Sequence, residues 1–463
     1  MISTVAQSNS PLGSYTVALT GDVIMNTSVS GCRQPDVVAA LELLGGADVT
    51  HVHLEIPLHD FVQPDVFPAA EGALSWMRAP TLVADELRRL GVDLVSTASN
   101  HSMDYSYGGL FSTIDALDAA GIPHAGTGGD LAAARAAAFV DAPAGRVALV
   151  SATSSFPPFA RAGAARWDSR GRPGVNPMRW VHVVDSARAD QIMVLAGSLG
   201  LWVVRDDNEF VVHPPGLHNS LSRFRIDPTA VEPTTACDED DLAGNLDSVR
   251  HARHAADLVL AHLHVQAWDG VDGRMSRSPA FAREFAHLAI KAGADLVLLQ
   301  GSHAPMRGIE IFDGVPVLHD PGPLFRLGRR EVQPHDFYTR WGNRPEVKSF
   351  DATLLDAFDA RDRGFGEAGG SISVGSPREA TSHEPGFVLP VCTVDSSGRR
   401  DRVCRVDLYP MGWSTHRRST TGFPVRLTGA RAHKVLDRIA ALSEPLGTQV
   451  SIDDQTDVGW VTV

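Results

Sequence analysis

The first half of the chain alternates between short apolar runs with the two-residue period of a β-strand and longer runs with a helical period. The strand-like runs are residues 17–20, 48–56 and 92–98, and the helix-like runs are residues 36–44, 82–90 and 110–120. Strands that alternate with helices of about ten residues are typical of βαβ units, in which strands pair in parallel. The chain is therefore expected to adopt an α/β fold.

The alternation returns in the second half after an irregular stretch. Residues 138–140 and 147–153 predict a hairpin, 154–180 a long loop, 182–199 a helix and 201–204 a strand, whereas 212–244 show no clear period. Beyond them, helices are predicted over 245–256 and 279–292, and strands over 257–265, 295–300, 308–312 and 315–319.

The domain organisation follows from these patterns. Residues 14–345 are expected to form the core, and residues 346–386, which include a Gly- and Ser-rich stretch, are expected to be a loop or linker. Residues 387–463 predict a hairpin over 388–409 and a helix over 430–442. We expect this segment to be a small α+β appendage that packs on the core; a homodimer contact is the alternative.

Composition excludes several classes of protein. The 463 residues are 43% apolar and 21% charged, which is ordinary for a globular protein and unlike a disordered chain. A net charge of −14 argues against nucleic acid as a partner. The sequence has neither an apolar run long enough to span a membrane nor a signal-like N-terminus, so we expect no membrane partner and a cytoplasmic location.

Five segments place polar side chains at the ends of predicted strands. They contribute Asp22; His51, His53 and Glu55; Asn100 and His101; His262 and His264; and His303. Alternation along a strand puts His53 and Glu55 on one face, and likewise His262 and His264. Buried polar groups are costly unless paired, and ligands bind at the carboxyl ends of strands in open α/β sheets. Imidazole with carboxylate suits Mn, Fe, Zn or Ni.

Each of these residues also has a structural alternative. Asp22 and Asn100 can cap helices or turns, Glu55 can lie in an exposed turn, and His303 can fill a loop. His53 and His262 can be hydrogen-bonded core histidines. The succession of five such segments, each after a strand, favours a shared metal site over these separate explanations.

The motifs around these residues resemble the CapA/PgsA-type proteins of poly-γ-glutamate capsule synthesis, which are similar to calcineurin-like metallophosphoesterases. The matching segments are Thr20-Gly21-Asp22-Val23, His53-Leu54-Glu55-Ile56-Pro57-Leu58, Ser99-Asn100-His101-Ser102-Met103-Asp104-Tyr105 and Gly301-Ser302-His303-Ala304-Pro305. The resemblance spans nearly the whole chain, and its most specific part surrounds Asn100 and His101.

The chain also departs from the family pattern. His53 stands where the family has Asn, and Pro305 stands where it has a second His. After His264, the family's Trp, Gly and Glu are replaced by Val265, Gln266 and Trp268. We expect no membrane anchor of the kind that is typical of capsule-synthesis members. We therefore expect a divergent, soluble member with a changed substrate, in which His262 or His53 replaces a lost ligand.

The resemblance implies a four-layer α/β/β/α sandwich and a metal-dependent hydrolase. One or two divalent ions would be held by Asp22, Glu55, Asn100, His264 and His303, with His262 and His53 as further candidates. His101, oriented by Asp104, would be the general acid. Substrate contacts are expected from Arg172, Asn176, His218 and Arg307.

Two classes of function remain open at this point. The first is a hydrolase that acts on a small-molecule amide, of γ-glutamyl or lactam type, or on an ester, with a phosphoester as the alternative bond. The second is a non-catalytic accessory protein of poly-γ-glutamate synthesis, which would expose a basic or aromatic groove.

Overall fold

The computed structural model describes residues 13–63, 65–70, 76–216, 222–267, 277–302, 306–327, 332–341, 348–367, 386–415, 417 and 419–463. The helices in this part of the chain are α1 Pro35–Leu44, α2 Leu82–Arg89, α3 Ser106–Ala119, α4 Leu131–Arg135, α5 Ser186–Ser198, α6 Glu239–Ala255, α7 Ala280–Ala292, α8 His335–Trp341, α9 Leu354–Glu367 and α10 Gly429–Ser443.

The strands alternate with these helices along much of the chain. They are β1 Ser14–Ile24, β2 Val49–Leu54, β3 Leu94–Ser96, β4 His124–Ala125, β5 Thr127–Gly128, β6 Ala138–Ala142, β7 Gly145–Thr153, β8 Gly174–Val175, β9 Trp180–Val184, β10 Trp202–Asp206, β11 Glu209–His213, β12 Ser222–Ile226, β13 Thr234–Cys237, β14 Leu258–His264, β15 Leu296–Gln300, β16 Ile309–Phe312, β17 Val315–His319, β18 Phe325–Arg326, β19 Phe387–Asp395, β20 Arg402–Trp413, β21 Pro424–Arg426, β22 Ser451–Asp453 and β23 Val458–Thr462.

The first sheet joins both ends of the described chain. Its strand order is β22-β23-β20-β19-β1-β2-β3-β4, with β18 beside β1 and β21 beside β20. Strands β1 to β4 pair in parallel, and β19 lies antiparallel to β1. The α/β prediction is confirmed, and the predicted C-terminal hairpin and helix are present. The strands of residues 387–463 extend the first sheet directly.

The second sheet has the order β16-β17-β15-β14-β7-β6. Its four inner strands are parallel, and the hairpins β6–β7 and β16–β17 form its two edges. Both hairpins agree with the sequence, because each pairs two short β-type runs around a tight turn.

The two sheets face each other through alternate residues of β14. Leu258 and Leu260 share a buried cluster with residues of β1 and β2, whereas Val259 packs with residues of α6 and α7 on the other face. Alternation puts His262 and His264 on the inner face, after the two leucines. The space between the sheets therefore changes from apolar to polar toward the carboxyl ends of the strands.

A third sheet, with the order β10-β11-β12-β9-β13, corrects two sequence predictions. The predicted helix over 182–199 is wrong at its start, because residues 180–184 are β9, and α5 begins after Asp185 caps the backbone N–H of Arg188. The prediction of irregular structure over 212–244 is also wrong, since β12, β13 and the start of α6 lie there.

The expected linker is not wholly a loop, because its residues 354–367 form α9.

Candidate metal centre

Three residues from three strands converge at the carboxyl ends of the two sheets. They are Asp22 on β1, His53 on β2 and His264 on β14, and one ligand atom of each lies within 4.8 Å of the others. The sequence predicts that Asp22 follows its strand, but β1 continues to Ile24 and Asp22 pairs with His53 after a register shift. At this shift Gly21 is required, because a Cβ there would lie 2.4 Å from the carbonyl oxygen of Gly322.

The geometry of this group suits a divalent cation. Oδ1 of Asp22 lies 4.0 Å from Nε2 of His53 and 3.8 Å from Nδ1 of His264. The three side chains are at most 2% exposed. One carboxylate and two imidazoles form a donor set that first-row transition metals favour, and a buried carboxylate needs such a partner.

Glu55 and Asn100 lie against the same histidine. Nε2 of His264 is 3.0 Å from Oδ1 of Asn100 and 3.7 Å from Oε1 of Glu55. Burial, followed by the charges of Asp22, Asp104 and Asp320, raises the pKa of Glu55 well above its usual value. A protonated Nε2 would donate to Asn100 and leave the Nδ1 lone pair facing Asp22, which favours Asn100 as the support of the His264 ring.

His262, another expected ligand, precedes His264 by two residues on β14 and is fully buried between the sheets. The ring of His53 stacks on the rings of both His262 and His264, with centroids 4.8 Å apart in each case. Both ring nitrogens of His262 are within 3.1 Å of hydrogen-bonding atoms, Oγ of Ser151 and Nε2 of Gln300. These contacts favour a structural role, and burial lowers the pKa of His262 far below its usual value.

Two residues support the site in ways that were not predicted from the sequence, although Gly301 lies in one of the matching motifs. Gly301 has φ +112°, and a Cβ there would lie 2.5 Å from Cε1 and Nδ1 of His264. Asp320, with φ +59°, accepts hydrogen bonds from the backbone N–H groups of Ser302 and Gly322. The sequence does offer a signal for Asp320. It is an aspartate that directly follows the strand predicted to end at His319 and precedes Pro321-Gly322.

The expected catalytic pair is formed beside this group. Nδ1 of His101 lies 2.6 Å from Oδ2 of Asp104, which also accepts a hydrogen bond from the backbone N–H of Met77 at 2.7 Å. Burial raises the pKa of Asp104, although His101 and Met77 oppose the rise. Asp104 thus fixes the orientation of the imidazole of His101, which is 6% exposed.

The residues expected to contact substrate are dispersed. Arg172 is exposed and its Nε donates to the carbonyl of Arg161, and Arg307 is 3% exposed and donates to the carbonyl of Ala267. Burial lowers the pKa of Arg307 to about 10. His218 and His303 lie outside the described residues.

Asn176, also expected to contact substrate, lies in the interior. Its side chain is fully buried, and its Nδ2 donates at 2.8 Å to the carbonyl oxygen of Ser151 and to Oδ1 of Asn245. This placement favours a structural role that joins β7 to α6.

In the part of the chain that the structure describes, no helix is long and apolar enough to cross a membrane.

The fold and the site define an α/β protein with a buried carboxylate–imidazole cluster suited to a divalent cation. The family model "Bacterial capsule synthesis protein PGA_cap" matches residues 16–324, and the chain belongs to this family. The resemblance seen in the sequence motifs is thereby confirmed.

Relatives share either most of the chain or about half of it. The proteins y4sH and y4uA of Sinorhizobium fredii are each 30% identical over 447 residues, which cover 95% of this chain and 92% of theirs. A probable polyglutamine synthesis accessory protein of Mycobacterium tuberculosis is 30% identical over 238 residues, 51% of this chain and 46% of its own. A putative 5′-nucleotidase from Staphylococcus aureus, solved with α-ketoglutarate, has 11% identity and a TM-score of 0.32, covering 66% of this chain and 49% of that structure.

Proposed function

We propose that this chain is a metal-dependent hydrolase that directs a water molecule at an amide or ester bond of a small molecule. The observation that carries the proposal is the convergence of Asp22, His53 and His264 at the junction of the two sheets. Glu55 adds a buried carboxylate beside this group, with Oε1 3.7 Å from Nε2 of His264, the ring nitrogen opposite the one that faces Asp22.

The roles of the residues follow from their chemistry. A bound divalent ion would lower the pKa of water toward neutrality and polarise the oxygen of the scissile group. His101 would protonate the leaving group, because the contact of its Nδ1 with Asp104 leaves Nε2 as the atom that transfers a proton. Glu55 would hold either the cation or the attacking water, since its carboxylate is the most deeply buried acid of the group.

An amide of γ-glutamyl type is the bond we favour. The family is named for capsule synthesis, and a mycobacterial relative is named as an accessory protein of polyglutamine synthesis, so a glutamyl amide is the chemistry nearest to both names. A small substrate of this kind in the cytoplasm would need no membrane contact. A phosphoester on the same site is the alternative bond.

One exposed feature supports a second candidate, a binding role in polymer synthesis without catalysis. Trp167 is 92% exposed, and the exposed residue Arg170 lies three positions further on, whereas Arg166 pairs with Asp168 at 2.9 Å. A basic and aromatic surface of this kind suits a carboxylate-rich partner.

Metal analysis and a substrate panel separate the two candidates. The purified chain is expected to carry a stoichiometric transition metal and to hydrolyse one of three chromogenic substrates: a γ-glutamyl anilide, a carboxylic ester or a phosphodiester. The His264→Ala and His101→Ala variants are the controls, and the first should lose metal while the second keeps it. A metal-free chain with no hydrolysis would favour the binding role, and full activity in both variants would overturn the mechanism.

A further inference from the structure

A fully buried serine links two of the histidines between the sheets. Oγ of Ser96 lies 2.9 Å from Nδ1 of His53 and 3.1 Å from Nε2 of His51. All three side chains are 0% exposed. The β2–β3 register pairs His53 with Ser96, and alternation along β2 puts His51 on the same face as His53.

A serine hydroxyl has one hydrogen to donate, so its direction determines the tautomer of the neighbouring ring. If Ser96 donates to Nδ1 of His53, the proton of that ring is on Nε2, where it faces Asp22 and competes with a cation. If Ser96 donates to His51 instead, its oxygen accepts a proton from Nδ1 of His53, and Nε2 keeps its lone pair.

His51 makes the second direction available. Its Nε2, 3.1 Å from Oγ of Ser96, can accept the hydroxyl hydrogen, whereas the other acceptor near Ser96, the carbonyl oxygen of Val52, is 3.5 Å away. A cation beside Asp22 would select this direction, because it needs the lone pair on Nε2 of His53. The hydrogen of Ser96 is then directed away from His53, and the hydrogen bonds run in sequence from His53 to Ser96 to His51.

We infer that Ser96 and His51 are positioning residues that hold His53 in the tautomer able to bind a cation. The inference rests on the proposed metal site and extends it to residues that do not reach the cation. The two imidazole ligands then have similar support, because Nε2 of His264 is held by Asn100 at 3.0 Å and Nδ1 of His53 is held by Ser96 at 2.9 Å. Ring nitrogens opposite a metal are commonly fixed in this way.

The test measures cation affinity in the full chain, by calorimetric titration with Mn²⁺ or Zn²⁺ alone. Ser96→Ala is expected to weaken binding about 10- to 100-fold. Ser151→Ala is the matched control: Ser151 is 1% exposed in the opposite sheet and contacts His262, which lies outside the cation group. The substitution also removes a buried serine hydroxyl that contacts a histidine between the sheets, so it should lower thermal stability comparably and leave the affinity unchanged.

A double-mutant cycle with His51→Phe distinguishes a directed hydrogen-bond chain from packing. His51→Phe should weaken cation binding when Ser96 is present and have no further effect in the Ser96→Ala background. The ¹⁵N shifts of His53 should show a protonated Nδ1 in the wild type, and that signature should be lost in Ser96→Ala.

The outcomes separate this inference from the proposed function. Wild-type affinity in Ser96→Ala, or equal losses in Ser96→Ala and Ser151→Ala, would overturn the inference and leave the metal site standing. A wild-type chain that binds neither cation would overturn both.

Discussion

Nε2 of His264 on β14 lies 3.0 Å from Oδ1 of Asn100, which follows β3 in the opposite sheet. This contact joins the two sheets at the site, and it fixes the ring so that Nδ1 faces Asp22 at 3.8 Å. The side chain of His264 therefore connects the packing of the sheets to the geometry of the cation group.

Saturating Mn²⁺ or Zn²⁺ should raise the unfolding midpoint of the wild-type chain. A ligand that binds only the folded state stabilises it by about 2.7 kcal/mol at 100 times its Kd. His264→Ala should abolish this increase, whereas His262→Gln should retain it, because both ring nitrogens of His262 are engaged by Ser151 and Gln300. Thermal denaturation with and without cation measures the effect, and equal losses in the two variants would refute the assigned group.

Asp104→Asn should lower kcat by about 10²-fold or more while metal content stays the same, because the orientation and tautomer of His101 are no longer fixed. Steady-state kinetics on whichever panel substrate is hydrolysed, together with metal analysis, is the measurement. The control is Asp118→Asn, which removes a contact of 3.2 Å to His124 from an exposed carboxylate. An Asp104→Asn variant as active as this control would argue against the pair.

Gly301→Ala should weaken cation binding as well as stability. Its new Cβ would lie 2.5 Å from the ring of His264, and the backbone has φ +112°. Gly314→Ala is the control, since Gly314 has φ +75° and a Cβ added there would meet nothing within 4 Å. We expect about 1 kcal/mol of backbone strain in both variants and a loss of cation affinity only in Gly301→Ala. Unchanged affinity in Gly301→Ala would mean that the ring of His264 can shift freely.

Acid stability should depend on Glu86. Burial raises its pKa, but hydrogen bonds from Ser30, Arg89 and Val29 outweigh burial and lower the pKa from 4.5 to about 2. A carboxylate with a lower pKa in the folded state stabilises that state at pH values above the unfolded pKa. This stabilisation is lost as the pH falls from 4.5 to about 2.

The corresponding measurement is the free energy of unfolding against pH. Glu86→Gln should be less stable near neutrality, by up to about 3 kcal/mol, and should show a shallower loss between pH 4.5 and 2. Glu42→Gln, at an exposed position of α1, should match the wild type. Parallel curves for wild type and Glu86→Gln would contradict the prediction.

The sequence predicts the strands of the site well because each is a short apolar run that ends in a metal-capable side chain. His53 and His264 are identified in this way, and their convergence follows from the rule that parallel strands share a carboxyl edge. The support of these rings by Ser96 and Asn100 is not predictable, since it depends on strand register and on contacts over more than a hundred residues.

The third sheet was missed for a different physical reason. Residues 222–226 of β12 read Ser-Arg-Phe-Arg-Ile, and four of these five residues are only partly buried, so their apolar alternation is weak. Asn176 shows a related limit: a polar residue in a loop looks like a surface residue until its partner, Asn245 on α6, is known.

The position of β1 constrains how this protein can be synthesised. β1 lies between β2, which the ribosome makes shortly afterwards, and β19, which it makes more than three hundred residues later. During translation, one edge of β1 stays unpaired until β19 has been made, and the histidines of β2 lack their contacts with β14 until that strand has been made. The strand that pairs with this edge of β1 is therefore absent for most of elongation, and an unpaired strand edge can pair with another chain.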